Sequence, residues 1–263
     1  AGAARAFAPV AVLAKSRRLP EPWLSELPFW TGLVARARND VATALSEWAG
    51  LLAADPGSFA AERALARIAE LPPASRERFV TAARADGRRL LRAGKAAAAK
   101  SRLLPAAALG DAEAKDALLE AYRALPRYAD VLLAPELPDE SLPDLCGDAA
   151  ACRLLQLGLA EDAEPIVREA RRLDTLLGSL VAARLAEDAG AGPAALEAAE
   201  AVSRKVPRDF LLELAPRTIR RGLAPRPFDR LVAQAAAELG VPRDLLYAVM
   251  RQESRFDREA ASP

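Results

Sequence analysis

The sequence predicts an all-α protein, and three observations carry that prediction. Of the 263 residues 52% are hydrophobic but only 5% aromatic; Ala supplies much of the apolar share, which favours helices packed through light, close interfaces. Apolar residues recur at helical spacing in segment after segment, with Pro and Gly standing between the segments where helices end. No segment competes with a strand-like alternation of apolar and polar residues. The length allows one or two domains with a substantial core.

Taken in order, Ala4 to Ser16 is Ala-rich and predicted helical, and Pro20, Pro22 and Pro28 break the pattern before a second unit that starts near Trp23. From Phe29 to Pro56 two helical stretches meet at Asn39-Asp40, the second with Val41, Leu45, Trp48 and Leu52 on one face. This is a helical hairpin, and its aromatic and Ala placement loosely resembles a tetratricopeptide repeat. Helices follow over Ser58 to Leu71 and Ala74 to Ala93, parted by Pro72-Pro73; the next runs from Lys95 to Leu104 and is expected to end at Pro105. Asp111 is an N-cap for a helix to Leu125, stopped by Pro126. Tyr128 to Pro143 is too broken by proline for a long helix and reads as a connector with one short helical turn. After the cysteines, a hairpin half turns at Leu157-Gly158 and carries Ala163 and Ala170 at packing positions; helices over Leu173 to Ala189 and Pro193 to Val206 continue the array. No fixed repeat period aligns, so the expectation is a degenerate helical superhelix in which each unit buries its face on its neighbours. Pro207 to Pro227 is cut by four prolines, and a domain boundary is placed there, near Gly222, giving domains 1–222 and 223–263. Phe228 to Leu239 is predicted as an amphipathic helix with Leu231, Ala235 and Leu239 on its stripe, stopped by Gly240.

Several classes of function fall away on composition. The 37 basic and 36 acidic residues are interspersed and give a net charge of +1, so there is no electrostatic footprint for nucleic acid or an anionic membrane. The chain has no histidine, which removes Ser-His and Cys-His catalysis and His-containing zinc sites together. Cys146 and Cys152 cannot form a four-thiolate metal site; they are either a short-loop disulfide, suited to an oxidising compartment, or two unrelated thiols. No run of about twenty uncharged apolar residues exists to span a membrane. No signal peptide is recognisable, and the opening AGAARAFAPV without an initiator Met is compatible with a leader removed or omitted.

Among the remaining constellations, Gly190-Ala191-Gly192-Pro193 lacks the lysine and the strand-helix setting of a phosphate loop. Asp139-Glu140 and Glu161-Asp162 stand at turns, where acidic residues cap helices or stay solvated. Trp23, Trp30 and Trp48 are read as core. The stretch Gly240 to Pro263 differs from all of these. A helix starts at Pro242, and its apolar positions Leu246, Val249 and Met250 define a stripe whose next member is Glu253. A carboxylate on an apolar face raises its pKa, finds a cation, or lies at the mouth of a cleft.

This stretch resembles the start of the catalytic domain of soluble lytic transglycosylases, the bacterial enzymes that cut peptidoglycan glycan strands. The matching positions are Leu245, Leu246, Ala248, Val249, Met250, Arg251, Gln252, Glu253, Ser254 and Phe256, with Ser262 and Pro263 following at the family's distance. The resemblance implies a lysozyme-like fold over 223–263, of which these would be the first helices, behind an α-superhelical domain. It implies that Glu253, protonated in apolar surroundings, is the acid that cleaves the bond between N-acetylmuramic acid and N-acetylglucosamine and then the base that directs 1,6-anhydro ring closure. Ser262 would bind substrate beside the cleaved bond and Ser254 would support the helix; Asp257, four residues on, is the weaker carboxylate. No metal or cofactor is implied. The implied location is the periplasm, the partner is the glycan strand, and the expected state is a monomer, with room for a protein partner on the superhelix. The family continues past Ser-Pro into further substrate-binding residues, so the 263-residue chain alone is expected to be an inactive fragment. Two alternatives stand beside this reading: a helical-repeat interaction scaffold, and a hydrolase related to goose-type lysozyme.

Overall fold

The structure, a computed structural model, describes residues 23–137, 148–157, 159–171 and 175–261. The helix expected over Ala4 to Ser16, Asp139-Glu140, Cys146, Gly158 and Ser262 lie outside the described residues. Among those described there are fourteen α-helices and no strand, as the composition predicts. They divide into two compact units. Of the described residues, one comprises those up to Ala129 together with Pro207–Leu214, and the other comprises those from Asp130 to Val206 and from Ala215 to Ala261.

The first unit holds α1 (Trp23–Ala37), α2 (Val41–Ala54), α3 (Phe59–Ala69), α4 (Pro73–Arg92), α5 (Ala96–Ala108) and α6 (Ala112–Arg123). Helices α1, α2 and α3 pack on one another, as do α4, α5 and α6, and α2 packs on α5. The starts follow local chemistry. Asp40 accepts the Thr43 amide at 3.0 Å, Ser58 that of Ala61 at 3.2 Å and Asp111 that of Ala114 at 2.7 Å, each satisfying an otherwise orphaned first-turn N–H. Trp48 is fully buried and its ring N–H donates to the Phe29 carbonyl at 3.1 Å, which makes it a core residue; Trp30 is half-buried.

Two prolines expected to break helices do not. Pro28 lies inside α1, and α5 runs through Pro105 to Ala108. An interior proline costs about 3 kcal/mol, but Leu103, Leu104, Ala106 and Ala107 around it are completely buried. Burying a leucine is worth about 1.5–3 kcal/mol, so the two leucines alone offset the break. Beyond α6 the chain makes a 3₁₀ turn at Pro126–Tyr128 and a short helix, α7 (Ala129–Leu132), the short helical turn expected in the connector.

A polar network closes the first unit. Lys100 is 6% exposed, and its ammonium meets the Asp209 carboxylate. Arg127 reaches the same carboxylate, and the Tyr128 hydroxyl donates to it at 3.0 Å. Tyr122 donates to the Asp209 carbonyl at 3.0 Å and accepts from the Leu211 amide at 2.9 Å, with its ring stacked on Phe210 at 4.5 Å. Segment 207–214 is thereby held as an integral part of this unit. Burial alone would push the Asp209 carboxyl up, but Lys100 first, then Tyr128 and Arg127, hold it below the usual carboxylate value. Burial pushes the Tyr128 hydroxyl up to about 12, which keeps it a proton donor.

The second unit holds α8 (Ala149–Gln156), α9 (Ala160–Arg171), α10 (Leu176–Asp188), α11 (Gly192–Lys205), α12 (Arg217–Leu223), α13 (Asp229–Leu239) and α14 (Arg243–Ser254). Helices α8 to α11 pack in succession, and α12 packs on α10 and α11. Ala151, Ala163, Val181 and Leu185 form one core cluster, with Cys152 against it. Cys152 is disulfide-bonded, and the chain's other cysteine, Cys146, is outside the described residues. The N-terminus of α12 has no local cap. Glu136 supplies one from far along the chain, accepting the Arg217 amide at 3.0 Å and the Thr218 hydroxyl at 3.1 Å.

Candidate active site

Helix α13 does not bury the face its spacing suggests, and α14 does so only in part. In α13 the buried residues are Val232 and Ala236, while Leu231 and Leu239 are 65% and 66% exposed. In α14 the inward face is Leu246, Tyr247 and Met250; Leu245 and Val249 are 52% and 49% exposed. This corrects the stripe Leu231-Ala235-Leu239, and in the stripe Leu246-Val249-Met250-Glu253 it keeps Leu246 and Met250 but places Val249 and Glu253 outside. The core that decides the matter is made of Leu196 from α11 with Val232, Tyr247 and Phe256; these contacts turn α13 by about one residue relative to an apolar count and bring Tyr247 of α14 inward in place of Val249.

Tyr247 was not singled out by sequence, because a lone tyrosine on a helix carries no motif. It is buried, donates its hydroxyl to Asp229 at 3.2 Å, and lies edge-on to Phe256 with ring centres 6.3 Å apart. Burial and then the Asp229 charge raise its pKa, so the hydroxyl stays a donor. Arg226 bonds Asp244 at 2.9 Å, bringing the loop before α13 to the first turn of α14.

The end of α14 is an unusual corner. Arg255 and Phe256 both adopt left-handed backbone, with φ of 51° and 64°; for residues with a Cβ this costs roughly 1–3 kcal/mol each. Contacts of Phe256 hold the corner. Its ring is 3% exposed, and its backbone and Cβ press on Gly192, where an added Cβ would come within 2.4 Å of the Phe256 carbonyl oxygen. Arg255 pairs with Glu200 at 2.9 Å, and Arg258 stacks over Phe228 at 4.4 Å. The Ser254 hydroxyl donates to the Met250 carbonyl at 2.9 Å, so it serves the helix end.

Glu253 sits on the last turn before this corner, with its side chain exposed. Val249 and Leu245, one and two turns back, share its side of the helix. Among the described residues none holds the Glu253 carboxylate in an ion pair, Arg255 being committed to Glu200. The acid is thus open to solvent on an apolar-flanked surface rather than enclosed by apolar side chains. Asp257 lies beyond the end of α14, and its carboxylate accepts the Glu259 amide at 2.9 Å, so the two acids do not share a helix face. Ser262 lies outside the described residues, so Glu253 is the predicted site residue that can be placed. Two grooves, of about 880 and 1040 Å³, belong to the first unit, and Glu253 lines neither. Among the described residues no cluster of His, Cys, Asp and Glu could hold a metal ion, and no helix is long and apolar enough to cross a membrane.

Fold and site together define an all-helical protein that presents one unpaired glutamate at a pinned helix end. Comparisons with protein-family models, curated proteins and solved structures return no match.

Proposed function

We propose that the encoded protein is a peptidoglycan lytic transglycosylase in which Glu253 is the acid and base. The observation that carries this is the ordered string from Leu245 through Arg251-Gln252-Glu253-Ser254 to Phe256, with Glu253 exposed and unpaired at the end of α14. Glu253 gives its proton to the glycosidic oxygen as the bond to C1 of N-acetylmuramic acid breaks. It then takes the proton of the C6 hydroxyl while O6 bonds to C1, so a 1,6-anhydro ring forms and no water is consumed. In this reading α13 and α14 open a lysozyme-like domain, and the helix pairs before them form the α-superhelix that carries it. Ser262 contacts substrate beside the cleaved bond. The disulfide at Cys152 agrees with a periplasmic location, where such bonds persist.

The test is digestion of purified peptidoglycan by the encoded protein, with products read by mass spectrometry. Anhydro-muropeptides are expected, and Glu253→Gln should reduce their release by roughly 10²–10⁴-fold while leaving the thermal midpoint unchanged. Products with reducing ends identify a hydrolase of the goose-lysozyme kind instead. Undiminished anhydro release from the Gln variant removes Glu253 from the mechanism.

A further inference from the structure

The first unit carries a groove of about 880 Å³ between α2, α4 and α5. Its walls are mainly apolar, among them Leu45, Ala49, Ala53, Phe79 and Leu90, and two arginines, Arg78 and Arg102, stand in the lining. We propose that this groove docks an acidic amphipathic helix of a partner protein, whose apolar face lies along α2 and whose carboxylates pair with Arg78 and Arg102. The proposal does not depend on the reading of Glu253.

Two observations select this occupant. The first is charge. On α4, Arg84 pairs with Glu113 at 3.1 Å, Arg88 with Glu113 at 3.4 Å and Arg89 with Asp86 at 3.1 Å. Arg78 bonds only a carbonyl of its own helix, that of Ala74, at 3.1 Å. Neither Arg78 nor Arg102 has a carboxylate partner among the described residues. Two such cations beside apolar walls complement carboxylates flanking an apolar face. The second is space. Gly32 and Gly87, also inside helices, are pressed by Trp48 and Leu103, so that an added Cβ would lie 2.2 and 2.3 Å from those side chains. Gly50 also lies inside a helix, where Gly is destabilising relative to Ala, yet nothing approaches within 4 Å of where its Cβ would be. No internal packing requires it, and it keeps the groove floor low. From Val41 to Ala53 the floor runs about 18 Å, the length of three helical turns. That length suits a helix anchored at i, i+4 and i+7. The apolar walls make a phosphate backbone the poorer fit.

The experiment uses two synthetic amphipathic helical peptides with the same leucine face, flanked by Glu in one and Lys in the other, and a single-stranded oligonucleotide, each fluorescently labelled and titrated with the whole chain. The Glu peptide should bind at least about tenfold more tightly than the Lys peptide and weaken with added salt. Gly50→Trp should abolish that binding, and the surface double variant Arg78→Glu with Arg102→Glu should reverse the preference between peptides, which keeps the test valid even if the Trp variant fails to fold. Equal binding of the two peptides, binding of neither, preference for the oligonucleotide, or a preference unaltered by the charge reversal overturns the proposal.

Discussion

Asp209 shows how much one side chain can fix. Its carboxylate meets Lys100, Arg127 and Tyr128, and the Lys100–Asp209 pair is almost fully enclosed, with side chains 7% and 14% exposed. Removing one member of such a pair leaves a buried charge alone, which costs about 3–5 kcal/mol. Asp209→Asn is therefore expected to destabilise the first unit by that amount at pH 7, measured by urea denaturation. The pH dependence follows from the lowered pKa of Asp209. A carboxyl that ionises more readily folded than unfolded adds stability that is complete above its unfolded value of about 3.9 and is lost as pH falls through the lower folded value. The gap between the parent chain and the Asn variant should accordingly close as the pH falls below about 4; a gap as wide at pH 3 as at pH 7 would show that the charge is not its source.

At the scale of the element, α14 is defined as much by its end as by its stripe. Two consecutive left-handed residues are sustained by burial of Phe256 against Gly192 and Tyr247. Phe256→Ala is expected to cost about 3–5 kcal/mol of stability in the second unit, read by thermal unfolding. On the proposed function it should also lower turnover although Glu253 is untouched, because the acid sits on the turn that the corner secures. A loss below about 1 kcal/mol would mean that the backbone holds itself. The helices themselves were legible in the sequence: Asp111 caps as expected, Asn39-Asp40 turns, and Gly240 stops α13 with φ of 65°. Their faces were legible only in part, since Leu246 and Met250 of the predicted stripe do turn inward. Leu231, Leu239, Leu245 and Val249 fit a helical face as well as Val232 and Tyr247 do, and only the position of Leu196 on α11 decides which set is covered. The prolines misled for the same reason. Pro105 carries its full local penalty, and only tertiary burial of its neighbours shows that the helix continues.

For the whole molecule, the organising fact is that the first unit is discontinuous. The sequence marks Pro207 to Pro227 as a change of composition, but no local signal says that Asp209 belongs with Lys100, 109 residues earlier. A lysine in an Ala-rich helix reads as solvated until its partner is known. The proposed role of Glu253 rests on a short contiguous string that can be read in the sequence, whereas a substrate surface is assembled from separate parts of the chain. A chain ending at Val206 loses α12 to α14 of the second unit outright, and in the first unit, which lacks only segment 207–214, it should show faster amide hydrogen exchange in α5 and α6. Equal protection with and without segment 207–214 would make that segment a passenger.

Such a truncated chain is also what a ribosome displays during synthesis. At roughly 5–20 residues per second, Lys100 emerges some 5 to 20 seconds before Asp209. During that interval Lys100 has no carboxylate to neutralise it, and the rings of Tyr122 and Tyr128 lack Phe210 to stack on. The first unit therefore waits, with an incomplete core, for a segment encoded some way downstream, and the second unit, whose core needs Phe256, is complete only later still.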